Sequence, residues 1–139
     1  MEALPDWEHG SVAILSTTGE TPHAIPVSTA VRAGPRLVLL ALALRRRSLA
    51  HLRAQPRVAL TIVTAGDVAI TAHCRATVRA EPMRASDRVA AIALEVDSIQ
   101  DHGRATFVID GGVRWRWVDP EAEQADAAIR AELLELARR

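Results

Sequence analysis

The chain has 139 residues, nearly half of them apolar, and 17 basic residues balance 17 acidic ones. That length suits one domain with a hydrophobic core, numbered here as an N-terminal arm (1–10), a barrel (11–118) and a C-terminal helix (119–139). The even charge offers no general grip on nucleic acid or an acidic membrane, and all 17 basic residues are arginine, so no lysine is present for a Schiff base.

From the N-terminus, Val12 to Thr17 is apolar and β-branched, and "TTGETP" supplies a turn. His23 to Arg32 reads as a second strand, with Pro26 arguing for an edge position. "RAGPR" turns the chain into Leu37 to Leu44, a run without polar alternation that suits burial on both faces.

Arg45, Arg46 and Arg47 follow, and Ser48 to Gln55 predicts a short helix. Ser48 is its expected cap, and the residue before Pro56 is pushed out of helical geometry. Arg57 to Thr64 returns as a strand, "TAGD" makes a hairpin, and Val68 to Arg79 is a long strand. "RVAAIALEVDSI" alternates in the strand manner over Val89 to Ile99 despite its alanines.

Ala105 to Ile109, a "DGG" turn and Val113 to Val118 predict a further hairpin. Trp115 and Trp117 would share one of its faces, as core or dimer-interface residues. The C-terminus is a helix capped by Asp119, with Pro120 at its first position and Ala122, Ala125, Ile129, Leu133 and Leu136 along one face. Six to eight strands with a short mid-chain helix and a terminal helix predict a mainly β fold, a small β-barrel with helical additions.

Several chemistries find no support. The five histidines show no ligand spacing, and His73 and Cys74, adjacent in a strand, point to opposite faces, so no metal site is expected. No serine lies in a nucleophile elbow, Cys74 has no named activating partner, and no glycine-rich phosphate loop exists. Catalytic residues are therefore not assigned. With no signal-like N-terminus and no apolar run of spanning length, a cytoplasmic protein without membrane contact is expected.

What remains is the arginine corner. A helix N-terminus exposes unpaired N–H groups and partial positive charge, and arginine donates bidentately to phosphate. The alternative is a solvated basic strand end.

The order "ILSTTGETPHAIPVSTAV", "LVLLALALRRRSLAHLRAQPRVALTIV" and "VAITAHCRATV" resembles the FMN-binding split-barrel superfamily, which includes pyridoxamine 5'-phosphate oxidase-like proteins and flavin/deazaflavin oxidoreductases. The resemblance covers about residues 11 to 80, and its most specific part is "L-x-x-x-P-R-V" after the basic corner. It implies a split β-barrel and a homodimer with FMN at the subunit interface. It matches Arg46 to a phosphate-contacting arginine, with Arg47 and Ser48 beside it, and places Val27, Ser28 and Thr29 along the flavin ring.

Ser48 stands where the family has a phosphate lysine and His51 where it has an asparagine. His51 and Arg75 are candidates for tuning the cofactor. No counterpart of the C-terminal substrate motif is present, which argues against oxidation of vitamin B6. The implied function is an FMN-dependent oxidoreductase acting on a small molecule. The alternatives are a deazaflavin-dependent reductase, with Arg53, Arg57 or Arg79 near a longer acidic tail, a flavin- or haem-binding carrier or sensor, and a barrel that has lost its cofactor.

Overall fold

A computed structural model describes the whole chain, Met1–Arg139. Its elements are β1 (Ala13–Thr18), β2 (Pro22–Val27), β3 (Val31–Gly34), β4 (Leu37–Ala43), α1 (Arg47–Ala54), β5 (Arg57–Thr64), β6 (Val68–Ala80), β7 (Val89–Asp101) and α2 (Pro120–Ala137). All seven strands join one antiparallel sheet in the order β2-β1-β5-β6-β7-β4-β3.

That order forces the sheet to roll. Its two edge strands, β2 and β3, are consecutive, separated only by Ser28, Thr29 and Ala30. Such a link spans at most about 14 Å, whereas the edges of a flat seven-stranded sheet lie about 29 Å apart. The sheet therefore curls around a core of alternate residues, including Leu15, Ile25, Val38, Leu40, Leu60, Ile62, Ile70, Ile92 and Leu94.

β4 is buried on both faces, as its unbroken apolar run predicts. Val38, Leu40 and Leu42 point into the barrel, while Leu39 packs outside it with Met83, Leu133 and Leu136 beneath α2. Pro26 lies on an edge strand, as expected, where its missing N–H breaks no second ladder. The "TAGD" hairpin places Gly66 and Asp67 at positive φ. The Asp119 carboxylate caps α2 by accepting from the Ala122 N–H at 2.8 Å.

Four sequence expectations are corrected. His23 to Arg32 is two strands, because the chain must step from one sheet edge to the other at Ser28–Ala30. Ser48 does not cap α1: Arg46 is the N-cap residue, without a side-chain bond, and Ser48 lies in the first turn with its hydroxyl buried and unpartnered. The hairpin over 105–118 does not form. Interior strands already have two neighbours and the edges lie at the seam, so that segment has no open ladder to join within the chain. Finally, the α2 face mixes apolar with polar groups: Ala125 is exposed, whereas Asp126, Arg130 and Glu132 are buried. The Glu132 carboxylate accepts from the Arg84 and Ala85 N–H groups at 3.1 and 2.7 Å, anchoring the connector between β6 and β7. Neither helix is long and apolar enough to cross a membrane.

Candidate functional site at the basic corner

β4 ends at Ala43, and the chain turns through Leu44 and Arg45 into α1. Arg45, Arg46 and Arg47 line an open depression of about 540 Å3, whose other wall is His23, Ile25 and Ala43. The ion pairs of the chain use Arg32, Arg53, Arg84, Arg130 and Arg139, so these three guanidinium groups are unpaired. The α1 N-terminus adds partial positive charge.

An adjoining depression of about 430 Å3 is lined by Gly19, Glu20, Thr21, His23, Arg47 and His51. His51 comes from α1, and its Nδ1 lies 3.0 Å from the Thr17 Oγ1 of β1. Its ring meets that of His23 edge-on, with centroids 5.0 Å apart. Gly19 is required by this approach, because a Cβ there would sit 2.7 Å from His51 Nε2.

Across the β1–β2 turn a third depression, of about 580 Å3, is lined by Ser16, Thr18, Arg57, His73, Cys74 and Asp97 among others. Cys74 is no nucleophile there. Burial, with a smaller contribution from the Asp97 charge, pushes its thiol from the ordinary 9.0 up to about 12. The Sγ donates to the Ala72 carbonyl at 3.4 Å. No group of three or more histidine, cysteine or carboxylate side chains gathers to hold a metal.

Of the residues singled out from sequence, Arg46, Arg47 and His51 come together here. Ser48 is adjacent in sequence, yet it is fully buried and presents no hydroxyl to the depression. Val27 lies four residues along β2 from His23, about 13 Å at ordinary strand rise, and points into the barrel core. The Ser28 carbonyl accepts from the Arg130 guanidinium. Thr29 Oγ1 is engaged with the Ala41 main chain, accepting at 3.0 Å and donating at 3.3 Å. Arg75 is exposed on β6, in register with Arg57 and Glu95, and lines none of the three depressions.

Sequence reasoning missed His23, Thr17 and Gly19 as neighbours of the corner. The available signal was the alternation that puts His23 on the same face of β2 as Ile25. No periodicity could report that α1 packs beside that strand.

No family model matches the chain, and no curated protein is similar to it. Solved structures are similar in fold. One is a provisionally assigned pyridoxamine 5'-phosphate oxidase of Listeria innocua, with a TM-score of 0.57, 12% identity, and coverage of 68% of this chain and 90% of that one. A FAD-binding protein of Mesorhizobium loti gives 0.53 at 12% identity, over 64% and 83% of the two chains. An F420 reductase gives 0.54 at 11% identity, over 67% and 91%. The fold is the split β-barrel that these structures share. At these identities the likeness is one of fold alone.

Proposed function

We propose that this split barrel binds a flavin-type cofactor, FMN in the first instance, with the cofactor phosphate on the Arg45–Arg47 corner, and that it works as an oxidoreductase on a small molecule. The observation that carries this reading is the set of three unpaired guanidinium groups and a helix N-terminus around one open depression. Guanidinium forks and helix-terminal N–H groups are donors matched to phosphate oxygens, so the residues present fit the group.

Arg46 and Arg47 would hold the phosphate, with Arg45 closing the corner. His51, oriented by Thr17, would border it. A bound flavin supplies hydride or electron transfer, and the protein's part is to bind and orient it. The neutral, buried Cys74 takes no covalent part. We further propose a homodimer. A deazaflavin coenzyme is the second reading, supported by the fold shared with an F420 reductase.

The visible spectrum of the purified protein, followed by titration of the colourless fraction with FMN and with the deazaflavin, tests this reading. A flavin spectrum or saturable FMN binding is expected. Binding of neither would remove the oxidoreductase assignment.

A further inference from the structure

The β1–β5 ladder stops short of the ends of its strands. Its last pair is Ser16 with Ala59, although β1 runs on to Thr18 and β5 begins at Arg57. Each end stays paired on its other side, Thr18 with Pro22 and Arg57 with Arg75. The β1–β2 and β5–β6 pairs therefore part here, and the opening between them is the depression of about 580 Å3. Thr17, Val58 and Cys74 are buried at its floor.

A β-bulge brings a carboxylate to this opening. Between β6 and β7, His73 pairs with Ser98 and Cys74 with Val96, so Asp97 is an extra residue without a ladder partner. A bulge re-aims the side chain of its extra residue. Arg36 holds this one in place: its Nε donates to the Val96 carbonyl at 3.1 Å, and its Nη2 donates to the Asp97 carbonyl. Asp97 lines the depression, and its charge adds to the upward shift of the Cys74 thiol at the floor.

Arg57 lines the same opening from β5, with β6 between it and Asp97. Two strand spacings put the two backbones about 10 Å apart. Neither residue takes part in the ion pairs of the chain, with the other or with any third group. The register neighbour of Arg57 is a second guanidinium, Arg75. Opposite charges that share a cleft without neutralising each other suit a ligand that carries both.

We infer that this cleft binds a small zwitterion of the amino-acid class, its carboxylate on the Arg57 fork and its ammonium on Asp97. Guanidinium donates two parallel bonds to a carboxylate, and an ammonium donates charge-assisted bonds to a carboxylate acceptor. Glu20, on the β1–β2 turn, adds a second carboxylate at the rim. Pro22, Val58 and Ala59 offer apolar contact to a short aliphatic side chain. The cleft does not depend on the flavin reading, because none of Arg45, Arg46 and Arg47 lines it.

Calorimetric titration of the full-length protein with L-valine, and with its one-charge analogues isovalerate and isobutylamine, tests this site. Valine is expected to saturate and to bind at least about tenfold more tightly than either analogue, as for one added charge-assisted contact. Arg57→Gln should lower valine affinity about tenfold without weakening isobutylamine. Asp97→Asn should lower it about as much without weakening isovalerate. In the amide spectrum of the unaltered protein, valine should shift Ser16–Thr18, Arg57–Ala59 and Asp97.

No saturable valine binding, valine bound no more tightly than an analogue, or an affinity that neither variant changes overturns the site. Shifts centred on Arg45–Arg47 overturn it as well, since they put the carboxylate at the basic corner. Should either variant fail to fold, the analogue series and the amide shifts of the unaltered protein still decide. Valine binding by a protein that takes no flavin keeps this cleft and removes the flavin reading alone.

Discussion

At the corner, neighbouring residues in sequence have opposite environments. Arg46 and Arg47 face solvent without partners, while Ser48 is sealed in the first turn of α1 with an unsatisfied hydroxyl. An unpartnered buried hydroxyl costs about 1–3 kcal/mol, and alanine is the better helix former. Ser48→Ala should therefore stabilise the fold by about 1 kcal/mol in urea unfolding and leave FMN affinity unchanged, whereas Arg46→Ala should lower that affinity by about tenfold through loss of a charge-assisted bond. The two variants separate a phosphate contact from a core residue that lies beside it only along the chain. Cys74 gives a pH prediction. Its folded-state thiol titrates at about 12 against an ordinary 9.0, so above pH 9 the unfolded chain releases a proton that the folded chain retains. Stability from this group is fully present below pH 9 and falls as pH rises from 9 towards 12. A thiol reagent at pH 8 should label Cys74 only after denaturant is added.

Among the elements, α2 does more than cover β4. Its Arg130 lies in an ion pair with Asp126, with Nε 2.5 Å from Oδ2, and reaches across to the Ser28 carbonyl at the seam between the sheet edges. Both partners are buried. Removing one member of a buried pair strands the other charge, at a cost of about 3–5 kcal/mol. Arg130→Ala should show a loss of that size in chemical denaturation, and amide exchange at Ser28–Ala30 should rise with it. The terminal helix was legible from Asp119, Pro120, Leu133 and Leu136. Its buried charges were not, because a 3.6-residue pattern reports where a face lies but not which polar group finds a partner there. The same limit applies to β2 and β3: the β propensity of "HAIPVSTAVR" runs unbroken across the point where the chain changes edges.

For the whole molecule, the segment 104–118 bears on assembly. Within it only Ile109 has a main chain hydrogen-bonded inside the protein, through Asp67. Phe107, Val108, Val113 and Val118 are exposed, and Trp115 and Trp117 meet edge-on outside both apolar clusters, with Trp115 Nε1 donating to the Gly10 carbonyl. Exposed apolar side chains beside unpaired main chain favour association. Sedimentation velocity at micromolar concentration should give the mass of the proposed homodimer, and a monomer would remove that proposal. The sequence by itself determined the strands from Leu37 onward to Asp101, both helices and the arginine corner, since each is written in contiguous residues as alternation, caps or charge. The tertiary structure alone decided that β2 and β3 become the two sheet edges, that residues 105–118 lose their hairpin, and that His23, Thr17 and Gly19 join the arginines. Those outcomes depend on which strands are already paired and which surfaces the rolled sheet brings together, and such long-range geometry leaves no local signal in the chain.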